Sequence, residues 1–136
     1  MEEVGVAVPA RRIAQGYFTY RSGIQAAEAL LTGEDRPTAI FASNDDMAAA
    51  AVSAAHRLGL DVPKDVTVVG FDDTTLATTA WPELTTVRQP IADMARAAIT
   101  LLLEQIRRRR AGGEDEVTQK LLDYTLMDRE SSGPPP

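Results

Sequence analysis

The chain has 136 residues, enough for one domain with its own core, and its hydrophobic (44%) and charged (25%) fractions are those of an ordinary globular protein. With no cysteine and a single histidine, His56, it excludes a disulfide framework, a thiolate nucleophile and a His-rich metal site, and a Ser-His-Asp triad is hard to build. A net charge of −6 argues against nucleic acid as a direct partner, because phosphate binding relies on clustered Lys and Arg.

The first ten residues, Met1 to Ala10, are acidic and lack the basic flank and long apolar core of a signal peptide, so the expected compartment is the cytoplasm. No apolar run reaches the length of a membrane span, and no membrane partner is expected. Arg11 to Ala14 reads as a short, weak strand that Gly16 ends. From Ser22 a helix is expected: Ile24, Ala27, Leu30 and Leu31 share one stripe and Gly33 closes it. Pro37 leads into Thr38 to Ala42, a buried-strand pattern. The next helix starts at a Ser43 or Asn44 cap, with Asp45 and Asp46 suited to its positive dipole end, and stops at Leu58-Gly59.

Val66 to Phe71 is apolar on both faces, as a central parallel strand should be. An irregular stretch follows Asp72-Asp73, then a β segment from Leu84 to Arg88. Pro90 opens the longest helix, Ile91 to Arg110, whose Ile91, Met94, Ala95, Ala98, Ile99, Leu102 and Ile106 fit the 3.6-residue period. Gly112-Gly113 marks a loop, Lys120 to Met127 a last strand, and residues 131–136 a disordered tail after a domain spanning 1–130. The order β-α-β-α-β-loop-β-α-β predicts an α/β fold with a doubly wound, mostly parallel sheet.

The informative chemistry follows two strands, one ending Ser43-Asn44-Asp45-Asp46 and the other Gly70-Phe71-Asp72-Asp73. In a parallel sheet both ends emerge on one edge, within about 5–10 Å for neighbouring strands, where open α/β sheets bind ligands. Carboxylates accept hydroxyl hydrogen bonds and an Asn amide both donates and accepts, so such an edge suits a neutral polyol. Each residue also has a plainer reading. Asn44 serves equally as a helix cap, Asp45 and Asp46 as dipole partners, Asp72 as an Asx-turn and Asp73 as a solvated turn residue.

The segments Pro37 to Ala48 (PTAIFASNDDMA), Arg57 to Asp73 (RLGLDVPKDVTVVGFDD) and Leu84 to Pro90 (LTTVRQP) resemble, in order and spacing, three signatures of the lactose/galactose repressor family of bacterial transcription regulators. Phe18 to Gly23 and Met127 to Ser132 are weaker matches. The resemblance covers Gly16 to Ser132 and corresponds to the second half of the family's periplasmic-binding-protein-like core, its C-terminal lobe; nothing here matches the helix-turn-helix headpiece.

It implies a sensing and dimerisation lobe that binds a small effector, usually a sugar or nucleoside-like molecule, with no catalytic residue, metal or cofactor. The Asn44 and Asp72 positions then hydrogen-bond the effector, Phe18 supplies an aromatic wall (core packing being its alternative), and Gln89 lies on a crossover strand bordering the cleft. The alanine-rich helix, through Ala48, Ala51 and Ala55, and the loop ending at Trp81 contribute to a dimer interface. The Ile91–Arg110 helix is expected to pack on the family's N-terminal lobe or on another subunit, since its apolar face is too wide to leave in water.

Other readings are weaker. Arg107 to Arg110 sits in a helix's last turn, where cations complement the dipole, and the acidic run Glu114 to Glu116 would screen it. A receiver-type phosphoacceptor domain needs carboxylates holding Mg²⁺ and a lysine at a later strand end, where this chain has Arg88-Gln89-Pro90. A transport sugar-binding protein of the same fold needs an export signal.

Overall fold

A computed structural model describes residues 7–33, 35–113 and 118–135. The acidic run Glu114 to Glu116 and most of the acidic start lie outside these residues. The described chain forms two compact units, one of residues 1–88 and 126–136, the other of residues 89–125.

In the first unit, α1 (Tyr20–Leu31) precedes β1 (Ala39–Phe41), α2 (Asp45–Arg57), β2 (Thr67–Asp72), α3 (Thr75–Thr79) and β3 (Thr85–Arg88). Thr19 caps α1, its Oγ1 accepting from Ser22 N at 3.2 Å, so the helix begins two residues before the expected start. The strands pair in parallel, with Phe41 opposite Val69 and Asp72 opposite Arg88. With β4 (Thr125–Met127) they make a four-stranded sheet in the order β1-β2-β3-β4. The α/β, parallel-dominated architecture expected from the alternating pattern is therefore present.

The core gathers around α2. Ala48, Ala50, Ala54 and Ala55 are fully buried, as are Val66, Val68 and Leu84. Small side chains let the helices approach closely: a Cβ on Gly23 of α1 would stand 2.8 Å from both Ala50 Cβ and Met47 Cα. α1, β2 and α3 pack around α2 and bury most of its alanines.

Three expectations about local structure need correcting. Residues Ala10–Arg12 form a short 3-10 turn rather than a strand, with Arg11 and Arg12 both paired to Asp35. Only Thr125–Met127 of the last predicted strand joins the sheet. Ser131, assigned to a disordered tail, is fully buried. Its carbonyl accepts from Val68 N at 2.8 Å, its hydroxyl donates to Val68 O at 2.6 Å, and Thr85 N donates to that hydroxyl at 2.8 Å. A serine that satisfies two strands' backbone groups is held by them, whatever its polarity suggests.

The second unit contains α4 (Ile91–Arg110), with the bounds its periodicity predicts. None of the helix's residues is buried, and Ile91 and Ile99 are 59% and 61% exposed. A cavity of about 590 Å³ lies within this unit, lined by Asp93, Arg96, Thr100, Glu104, Lys120 and Asp123 together with apolar residues.

Candidate functional site

β1 and β2 are parallel neighbours, so the residues that follow their last ladder positions leave the sheet at the same edge. Asn44 follows β1 and Asp72 ends β2. The two polar groups singled out by spacing therefore belong to adjacent strand ends.

Asn44 is the N-cap of α2. Its Oδ1 accepts from Met47 N at 3.0 Å, and its Nδ2 donates to the carbonyl of Phe18 at 3.2 Å. The cap role and a role at the edge are thus compatible, since these bonds engage one N–H and one lone pair, half of what a carboxamide offers. They also bring Phe18 to the same place. Phe18 is 66% exposed, outside the core of the first unit, and its φ of 56° lies in the left-handed region. Asp72 is half-buried at φ 106° and Asp73 follows at φ 55°. Such angles are uncommon outside glycine, though Asp adopts the left-handed region more readily than most residues, and they collect at functional sites. All three positive-φ, non-glycine residues of the described chain are Phe18, Asp72 and Asp73.

Two carboxylates beside these residues do more than the sequence indicated. Asp45 is fully buried. It accepts from Thr86 Oγ1 at 2.6 Å, from Thr74 N at 2.6 Å and from Thr74 Oγ1 at 3.0 Å, so it fastens the loop after β2 to β3 and α2. Gly70 makes room for it: a Cβ there would stand 2.5 Å from Asp45 Oδ1. Asp73, read from sequence as a solvated turn residue, has a side chain only 6% exposed between Arg88 and Arg129. Arg129 Nη2 donates to Oδ1 at 2.6 Å and Arg88 Nε to Oδ2 at 2.5 Å. Burial pushes the Asp73 carboxyl up, but the two guanidinium groups outweigh it and hold it below the usual carboxylate value. Neither carboxylate is thus arranged as a receiver domain would use it. Among the described residues no group of three or more His, Cys, Asp or Glu is placed to hold a metal ion.

The remaining candidates are placed as follows. Gln89 comes directly after Arg88, begins the second unit and is half-buried, its carbonyl accepting from Ile91 N at 2.9 Å. Ala48, Ala51 and Ala55, expected at a dimer interface, are 0%, 2% and 0% exposed. They fill the chain's own core and are not available to a partner, a correction forced by α1 and β2 covering α2. Trp81 is 79% exposed, with the His56 ring 5.6 Å away between centroids.

A parallel α/β unit with polar residues at adjacent strand ends is of the class that binds small ligands outside the carboxyl ends of its strands. Residues 1–132 match the periplasmic binding protein-like domain family, and the chain belongs to that family, in the form found in LacI-type transcriptional regulators. It is 37% identical to the repressor CytR of Escherichia coli K12 over 132 residues, 97% of this chain and 38% of CytR. Catabolite control protein A of Priestia megaterium is 43% identical over 102 residues, 75% of this chain and 31% of that protein. Among solved structures, the CelR–cellobiose complex matches with a TM-score of 0.83 and 37% identity, covering 96% of this chain and 39% of CelR. A LacI-type regulator from Bacillus cereus subsp. cytotoxis gives 0.86 at 28% identity, covering 97% of this chain and 45% of that one. The chain therefore spans less than half the length of each of these relatives. The resemblance to the lactose/galactose repressor family is borne out.

Proposed function

We propose that this chain is the effector-sensing lobe of a transcription regulator, binding a small sugar-like molecule and making no contact with DNA itself. Asn44 and Asp72 hydrogen-bond the effector's hydroxyls, and Phe18 offers it an apolar wall. The observation that carries this reading is the pairing of β1 with β2, which sets Asn44 and Asp72 at adjacent strand ends, with exposed Phe18 tied to Asn44. The relative solved with cellobiose supports a carbohydrate as the ligand class. The relatives are transcription regulators rather than enzymes, and the lobe is read as binding its ligand unchanged, in the cytoplasm. No helix among the described residues is long and apolar enough to cross a membrane.

The lobe also self-associates. Trp81 anchors one contact, and the apolar stripe of α4 meets a second copy.

Calorimetric titration with cellobiose, ribose, galactose and adenosine tests the site. One of these is expected to bind, weakly because a single lobe offers half a cleft. Asp72→Ala is expected to weaken it at least about tenfold, the loss of one hydrogen bond to a charged group. Unchanged affinity in a folded Asp72→Ala chain removes Asp72 from the site. The chain is not expected to retard operator DNA in a gel.

A further inference from the structure

Asp72 and Asp73 are consecutive residues with positive φ, 106° and 55°. Two such residues in succession persist only where the surroundings over-determine them. Asp73 supplies that constraint. Its carboxylate is held by Arg88 and Arg129, and Arg129 is itself fixed: Nη1 donates to Leu84 O at 2.8 Å and its backbone N to Thr85 Oγ1 at 2.9 Å. On the far side of Asp73, the Thr74 backbone is fastened by the buried Asp45. Arg88 is in turn the ladder partner of Asp72 on β3. The residue that follows the candidate ligand-binding carboxylate is thus tied to the neighbouring strand at the position directly opposite that carboxylate.

The same clasp sits at the two places where the chain leaves and re-enters the first unit. Arg88 is the last residue before the chain departs, and Arg129 lies just after its return at Leu126. A solvated turn residue would need neither partner.

We propose that Asp73, through Arg88 and Arg129, is a positioning residue for ligand binding: it fixes the left-handed turn from which the Asp72 carboxylate reaches the effector. This rests on the reading of Asn44 and Asp72 as ligand-binding residues. Asp73 touches no ligand. Its effect is on the geometry of Asp72, and an isosteric amide in its place can accept only one of the two bonds and has no charge to pair with either guanidinium.

The test uses the whole chain with cellobiose, ribose, galactose and adenosine as probes, affinity being measured on protein shown to be folded and stability measured separately. Asp73→Asn is expected to weaken binding of the probe that the wild-type chain takes by about tenfold, the scale of one lost charged hydrogen bond. The three-bond HN–Hα coupling of Asp72 is expected to shift with it, in the absence of ligand. Arg129→Met is expected to behave the same way, with Arg129→Lys recovering most of the affinity. A structural role alone would lower stability and leave the affinity of the folded fraction and the Asp72 coupling as they were. That result overturns the inference. Should Asp73→Asn not fold, the Arg129 pair decides: Arg129→Met binding as the wild type does overturns it. If Asp72→Ala abolishes binding while Asp73→Asn leaves it unchanged, only the positioning role fails. If the wild-type chain binds none of the four probes, the reading of the site fails and this inference with it.

Discussion

Asp73 is the residue whose environment has the clearest consequence for stability. Its carboxyl lies below its ordinary value because Arg129 and Arg88 overcome the cost of burial. A depressed folded-state pKa contributes stability above the unfolded-state value, and that contribution is lost as pH falls through the folded-state value. Asp73→Asn is expected to cost about 2–4 kcal/mol at neutral pH, the lower end reflecting the exposure of Arg88. The gap between wild type and variant should close in acid, where the wild-type carboxyl is itself neutral; urea melts at descending pH would show this. A gap that stays constant with pH contradicts the assigned ion pairs. Nothing in the sequence disclosed this role, because Arg129 is 56 positions away and only the fold brings it back. The further role of Asp45, beyond its place in the first turn of α2, was hidden for the same reason: its partner Thr86 lies on β3. Asn44 and Asp72 were legible, because strand-end position is a local property of the pattern.

The elements built from long, strongly periodic or uniformly apolar runs were readable. The α4 bounds and the Asn44 cap of α2 follow from the sequence, and β2 lies where its apolar run placed it. Short segments were not, because local pattern alone does not decide them: Arg11 and Arg12 lie in a turn beside Asp35, and only part of the last strand finds a ladder. The burial of α2 was also hidden, since an alanine looks the same in a core as on a surface. Its close packing makes a sharp prediction at Gly70. A methyl group there meets the Asp45 carboxylate at 2.5 Å, Ala48 Cβ at 3.2 Å and Thr86 Oγ1 at 3.4 Å. The carboxylate cannot retreat without abandoning the Thr74 and Thr86 donors. Gly70→Ala is therefore expected to destabilise the chain by about 3 kcal/mol or more, the upper range for overpacking. By contrast Gly33→Ala, where nothing stands within 4 Å of the added atom, should change stability little. Thermal melts of the two variants make the comparison, and equal midpoints would refute the packing account.

At the scale of the whole molecule the two units differ in how they treat their apolar surface. The first has a closed core of small side chains. The second presents Ile91, Met94, Ile99, Leu102, Leu103 and Ile106 from a helix with no buried residue. Burying a side chain of this size contributes roughly 1.5–3 kcal/mol, so several acting together exceed the entropic cost of association by enough to hold a complex at micromolar concentration. The occupant proposed above for this stripe is a second copy. Sedimentation of the wild-type chain across a concentration series is expected to show dimer or higher species, and Ile99→Asp or Leu102→Glu to return it to monomer while leaving the first unit's thermal transition in place. Substituting Trp81 by Ala should weaken association without exposing new core, because its ring is already in solvent. A wild-type chain that stays monomeric at about 100 μM would place any self-contact weaker than roughly −5 kcal/mol. It would leave the α4 stripe to the portion of the family's longer members that this chain does not span.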